Sequence, residues 1–290
     1  MSEWVLGILG GSGLYDLETL ENREWLSIQT PWGMPSDDIL LAELAGVKLR
    51  FLPRHGRGHV LSPSDVNYRA NIDALKRAGC TDILSISAVG SLKEEYAPGD
   101  FVMIDQFIDR TFKREKSFFG AGMVAHVSVA DPICSRLSQV AGDAAEKAGA
   151  KVHRGGTYLA MEGPQFSTKA ESRLYRSWGC DVIGMTNMPE AKLAREAELP
   201  YASMATVTDY DCWHPEHGNV DVASVIATLI KNAETARAAI SNLVSKLAKT
   251  PRTNSPQGIE TNLDTALITP PEARDSELMA KLDAVAGRVL

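Results

Sequence analysis

No apolar run in this chain reaches the roughly 18 residues needed to cross a bilayer, and its opening, MSEWVLGILGG, has no basic segment ahead of the apolar residues. Neither membrane insertion nor export is expected. The four cysteines, Cys80, Cys134, Cys180 and Cys212, are scattered. They have neither the CxxC or Cys/His spacing of a zinc site nor the density of a disulfide framework, so reduced thiols, a cytoplasmic setting and no bound metal are expected. Positive charge is scarce as well: 30 Lys and Arg against 37 Asp and Glu leave −7. That balance argues against a nucleic-acid groove, which must neutralise many phosphates, although a single small anion can still find a local site. No Gly-Lys-Ser/Thr follows the early glycines, and Gly11-x-Gly13 meets Asp16 where a dinucleotide fingerprint needs a third glycine. Internal repeats are absent too.

What is present is length and core. With 290 residues, 44% of them hydrophobic, the chain suits one sizeable α/β domain. Short apolar runs predict strands over residues 5–9, 49–52, 83–88, 101–104, 182–185 and 201–207, with a strand or turn over 151–158. Helices are predicted from Pro63-Ser64-Asp65 to Gly79, from Asp131-Pro132 to Gly149, from Thr168 to Gly179, over 190–198, and from an Asp221 cap to about Leu247. Thr168 and Glu171 have capping-box spacing. Residues 109–125 read as a long loop, the Pro/Ser/Asn-rich residues 250–262 as a linker, and 271–289 as a last helix.

The densest chemistry lies in residues 159–213, a pair of βα units. Ligands of open α/β sheets bind beyond the carboxyl ends of strands, so the topology makes Phe166, Ser167, Met185, Thr186 and Asp209 neighbours. Three earlier strands also end in loops suited to an anion: Gly10-Gly11-Ser12-Gly13, Arg54-His55 and Ser87-Ala88. Glycine lets backbone N–H groups approach, Arg offers a planar fork, and His donates from either nitrogen. Taken singly, each could equally be a glycine turn, a solvated basic turn or an ordinary strand-end turn. Together they make an anion site.

The motifs GGSG, RHG, NYRAN, SAVGSL, PGD, DQFIDRT, EGPQFST, GMTNMPE and TDYDCW occur in that order. Over residues 5–248 the chain thereby resembles the trimeric purine nucleoside phosphorylase family. The resemblance implies a single-domain mixed β-sheet surrounded by helices, with a catalytic unit over residues 1–250 and residues 251–290 packing on the same domain as linker and C-terminal helix. It implies phosphate against Ser12, Arg54, His55, Ser87, Ala88 and Thr186, with phosphate a co-substrate and no cofactor. Met185 would lie beneath the ribose, Phe166 against base and sugar, and Asp209 at purine N7 and the 6-amino group with Asp211 close by. Val222 and Val225 would line an apolar 5′ pocket. His126 would reach the 5′ end of a neighbouring subunit's ligand in a homotrimer.

The implied activity is phosphorolysis of a 6-amino purine nucleoside bearing a 5′-methylthio group. A protonated Asp209 can donate to N7 and accept from a 6-amino group, whereas Asn there would suit a 6-oxo purine. Ser167 stands where the 6-oxo branch carries Glu. Phosphorolysis of 6-oxo nucleosides or methylthioinosine, hydrolysis by water, and nucleoside binding without turnover remain the alternatives.

Overall fold

The computed structural model describes residues 3–11, 13–215 and 222–290, with 222–224 described by their backbone alone. Ser12 and Asp221, and the side chain of Val222, therefore lie outside the described residues. The strands are β1 (Val5–Gly10), β2 (Glu21–Leu26), β3 (Ile39–Leu44), β4 (Val47–Pro53), β5 (Asp82–Ser91), β6 (Phe101–Ile104), β7 (Gln106–Asp109), β8 (Val152–Arg154), β9 (Thr157–Ala160), β10 (Val182–Gly184) and β11 (Tyr201–Asp209). The helices are α1 (Tyr68–Arg77), α2 (Ser135–Lys147), α3 (Lys169–Ser177), α4 (Asn187–Glu196), α5 (Val222–Leu247), α6 (Ser276–Lys281) and α7 (Asp283–Ala286).

All the strands join one mixed sheet organised about β5. β5 pairs in parallel with β1 on one side and β11 on the other, and β4 lies parallel beyond β1. Four carboxyl ends therefore emerge together. Gly90 and Ser91 then pair antiparallel with Ile183 and Val182 of β10, so β10 runs back toward residues 87–89 and delivers Met185 and Thr186 beside them. Apolar side chains on one face pack with α1 and α4, and those on the other with α2 and α5. Burial on both faces explains why β1 and β11 are apolar runs without alternation.

Several boundaries differ from the sequence reading for identifiable reasons. β2 is exposed along its whole length and carries ENREWL, so no hydrophobic pattern marks it. β5 continues through Ser91 because β10 supplies partners for residues expected to turn. Helix α1 begins after Asn67, whose side chain accepts from the Ala70 N–H, while residues 63–66 form a turn. Helix α2 begins only after Cys134, because the Cys134 N–H donates to the Tyr201 carbonyl and holds residues 132–134 extended beside β11. The expected helix over 271–289 is divided into a 3-10 turn, α6 and α7. Asp275 provides a new cap by accepting from the Leu278 N–H at 2.7 Å. The capping box at Thr168 and Glu171 forms with both of its reciprocal bonds.

Residues 250–290 join the same core. Leu263, Leu282 and Val285 pack with α1 and α4, the Leu263 N–H donates to Glu198 at 2.8 Å, and Arg252 pairs with Asp82 at 2.6 Å. Leu263 is fully buried. Leu263→Ala should therefore cost about 2–5 kcal/mol in one cooperative unfolding transition read by urea denaturation. An unchanged midpoint would show that this segment is not part of the folding unit.

Candidate active site

At the shared carboxyl ends of β4, β1 and β5 lies a fully buried ion pair. Arg54, the residue after β4, directs Nε and Nη2 to Glu190 of α4 at 2.7 and 2.9 Å. Its Nη2 also reaches Ser85 Oγ at 2.6 Å and its Nη1 the Ile86 carbonyl at 3.1 Å. Among the described residues four of its five N–H protons are thereby engaged, and the second on Nη1 has no partner there. Burial opposes the charge, but Glu190 outweighs it and keeps Arg54 firmly protonated. Glu190 accepts as well from the Tyr201 hydroxyl at 2.8 Å. Asn187 continues the network, donating to Tyr201 Oη and Ser203 Oγ and accepting from Ser87 Oγ at 2.9 Å. The Thr186 N–H, in turn, faces the Tyr158 hydroxyl at 3.4 Å.

His55 follows Arg54 directly. Its Nδ1 lies 2.9 Å from the Leu61 carbonyl, an obligate acceptor, so the proton is on Nδ1. Burial and then the Arg54 charge push the imidazole down to about 4, so it is neutral at physiological pH. Ala88 is exposed although its neighbours along β5 are buried. The sheet is therefore open at Ala88, the residue that follows Ser87.

The second part of the site is built from the end of β11. The Asp209 carboxyl accepts from the Thr208 hydroxyl at 2.7 Å and from the Asp211 N–H at 2.8 Å, the latter an Asx turn that accommodates the left-handed backbone of Asp211. Burial pushes the Asp209 carboxyl up, more than these two donors lower it. Asp211 is pushed up too, first by burial and further by Asp209. A side chain at Gly90 would meet Asp209 Oδ1 at 2.9 Å, which explains the glycine. Ser167 is drawn to the same place, its carbonyl accepting from the Cys212 thiol at 3.3 Å.

A clamp absent from the sequence reading holds the intervening loops. Arg114 donates to the carbonyls of Met185, Met188 and Glu162 at 2.5, 2.7 and 2.7 Å, and Glu162 accepts from the Phe112 N–H at 2.6 Å. Met185 thereby rests on Gly163, whose left-handed backbone and missing side chain leave room for its sulfur. Phe166 is about half exposed. Val225 is half-buried on α5, followed by exposed Ile226, Leu229 and Ile230. His126 is exposed on the 109–125 loop's continuation, fastened by its N–H to the Ala266 carbonyl at 2.8 Å, and no contact joins it to the groups above.

The sequence reading also missed Glu190, Asn187, Tyr158 and Thr208. Glu190 and Asn187 stand inside GMTNMPE; the available signal was a carboxylate in a first helical turn, which reads equally as a helix-dipole partner. A cleft of about 330 Å³ lies at the opposite, amino-terminal ends of the strands. Its charges are matched internally, Arg252 with Glu260 and Arg288 with Glu198. Among the described residues no cluster of His, Cys, Asp and Glu is suited to a metal ion, and no helix is long and apolar enough to cross a membrane.

A model of the phosphorylase superfamily matches residues 5–246. The S-methyl-5′-thioadenosine phosphorylase of Cereibacter sphaeroides is 63% identical over 286 residues, spanning 99% of this chain and 98% of its own. A solved methylthioadenosine phosphorylase sourced from an antarctic soil metagenomic library aligns with TM-score 0.91 at 49% identity, over 98% of this chain and 99% of its own. The methylthioadenosine phosphorylase of Schistosoma mansoni in complex with adenine aligns with TM-score 0.83 at 38% identity, over 90% and 96%.

Removing one partner of a buried ion pair strands the other's charge. Glu190→Ala should therefore destabilise the fold by about 3–5 kcal/mol, measured by denaturant unfolding. A loss below about 1 kcal/mol, the scale of an exposed pair, would mean that Arg54 finds another partner.

Proposed function

The chain belongs to the phosphorylase superfamily, and from that premise we propose that it cleaves 5′-methylthioadenosine with inorganic phosphate, yielding adenine and 5-methylthio-α-D-ribose 1-phosphate. The observation that carries this reading is the placement of Asp209: its carboxyl is fixed at the end of β11 by Thr208 and the Asp211 N–H, against Gly90 of β5, and burial raises it. As a neutral acid it can donate to N7 while accepting from a 6-amino group. A 6-oxo purine would set its oxygen against that acceptor.

In this reading, phosphate sits against Ser12, Arg54, His55, Ser87, Ala88 and Thr186, below C1′ of the ribose. The second Nη1 proton of Arg54 and backbone amides supply donors, and the Glu190 pair keeps the guanidinium from turning. His55, neutral with its proton on Nδ1, presents Nε2 as an acceptor for the hydroxyl of hydrogen phosphate. As the C1′–N9 bond breaks, its electron pair passes to the base and the Asp209 proton moves to N7. An anionic oxygen of hydrogen phosphate closes on C1′; the resulting ester releases the phosphate hydroxyl proton to water, and water returns one proton to the Asp209 carboxylate, so charge and protons balance. The protein's contribution is orientation and electrostatic preorganisation, with proton donation to the leaving group.

Met185 lies under the ribose and Phe166 against base and sugar, while Ser167 and Asp211 bound the purine side. Val222 and Val225 form the apolar wall for the 5′-methylthio group. Residues 1–250 make up the catalytic unit and 251–290 brace it. The active assembly is a homotrimer in which His126 of the partner subunit covers the 5′ end, consistent with its exposure. The enzyme works in the cytoplasm, in purine and methionine salvage, and needs no cofactor.

The decisive assay offers methylthioadenosine, adenosine, methylthioinosine and inosine, each with and without phosphate. Turnover should require phosphate and favour methylthioadenosine; equal adenine release in phosphate-free buffer would refute phosphorolysis. Asp209→Asn should lower methylthioadenosine turnover by about 10²- to 10⁴-fold and move relative preference toward inosine. Because protonated Asp209 is the active form, the rate should decline on the alkaline side, through a limb above the usual carboxylate range. Sedimentation of the active enzyme should give a trimer; an active monomer would remove the role of His126.

A further inference from the structure

Strand β11 falls out of step with β5 near its end. Val207 pairs with Val89 and Asp209 with Gly90, so Thr208 is an extra residue, a β-bulge. Bulges bend a strand and re-aim the neighbouring side chains. Here the bulge leaves Thr208 buried, with Oγ1 placed 3.2 Å from the Val89 carbonyl and 2.7 Å from Asp209 Oδ2. A hydroxyl has one proton and two lone pairs, so it cannot donate to both. Which acceptor takes the proton depends on the charge of Asp209.

We propose that Thr208 is a positioning residue for this reaction: its hydroxyl holds the Asp209 carboxyl and turns from the Val89 carbonyl to Asp209 Oδ2 as the carboxyl loses its proton. The inference rests on the reading of Asp209 as the acid. While Oδ2 carries the proton that it offers to N7, the Thr208 hydroxyl donates to the Val89 carbonyl. When the proton passes to N7 and the C1′–N9 electron pair to the base, the Thr208 hydroxyl keeps its own proton and redirects it to the new carboxylate.

The other oxygen cannot take over this role. Oδ1 already accepts from the Asp211 N–H and lies against Gly90, where a Cβ would meet it at 2.9 Å. Among the described residues, the charged group facing Asp209 is Asp211 from the same loop, while β5 presents Gly90 and β10 presents Ile183, both uncharged. The hydrogen bond to the carboxylate therefore strengthens as charge develops, with no cation among the described groups that act on Asp209. Interactions of that kind raise kcat rather than affinity.

The test compares Thr208→Val, which keeps the shape and loses the hydroxyl, with Thr208→Ser, which keeps the hydroxyl. With methylthioadenosine and phosphate, Thr208→Val should lower kcat by about 10- to 100-fold, the effect of one charge-assisted hydrogen bond, with both KM values within about 3-fold. Since the Thr208 bond lowers the Asp209 pKa, its loss should move the alkaline limb of the rate profile to higher pH. Thr208→Ser should stay within about 3-fold with the original limb. A Thr208→Val enzyme with unchanged kcat and limb would overturn the proposal. So would equal impairment in both variants with an unmoved limb, which would assign the effect to the packing of the bulge. Asp209→Asn is the control: if it retains full turnover, the reading of Asp209 fails and that of Thr208 with it. If Asp209→Asn is inactive while Thr208→Val is normal, only the role of Thr208 is lost.

Discussion

The arrangement of this site depends on one buried ion pair, Arg54 with Glu190. Two charges without water are stable only when their remaining hydrogen-bonding capacity is met, and here that demand determines the surroundings. Arg54 takes acceptors from β1 and β5, while Glu190 brings α4 against Tyr201 at the start of β11. Moving any of these elements would strand a charged or polar group in the core. The four strands β4, β1, β5 and β11 are thus tied to one geometry before any ligand arrives, which is what preorganisation requires.

The two parts of the site are tuned in opposite senses by the same burial. At the anion end, Glu190 keeps Arg54 charged while Arg54 and burial keep His55 neutral. At the end of β11, where no such counter-charge among the described residues acts on Asp209, burial favours the protonated carboxyl. The contrast between a guanidinium held charged and a carboxyl biased toward its proton follows from which charges have buried partners. The bulge at Thr208 and the missing side chain of Gly90 then aim the acid.

Much of this was readable from local pattern. The apolar runs located β1, β5, β6, β10 and β11, Thr168 and Glu171 announced α3, and turn glycines marked its end and those of α1 and α2. Strand-end logic gathered Ser87, Thr186 and Asp209 at one end of the sheet. What escaped depends on distant partners. Polar β2 is a strand only because β3 pairs with it; Cys134 delays α2 because of a carbonyl on β11; Arg114 and Glu190 look like surface charges until Glu162 and Arg54 meet them inside. Arg54 itself reads in the sequence as an anion donor, and nothing local to it announces the partners from β1, β5 and α4 that take up its protons. No hydrophobic period encodes a buried charge.

The segment around residue 267 runs as a short partner beside the 124–126 loop. Ala125 bridges to Leu267, the Ile268 N–H donates to Val124, and the Val124 N–H donates to Thr269 Oγ1, 145 residues further along the chain. During synthesis the loop emerges from the ribosome long before the segment that fastens it. Until then the backbone groups of residues 124–126 that these bonds occupy remain open to water. Any association between subunits that uses this loop is therefore a late event, following translation of the tail.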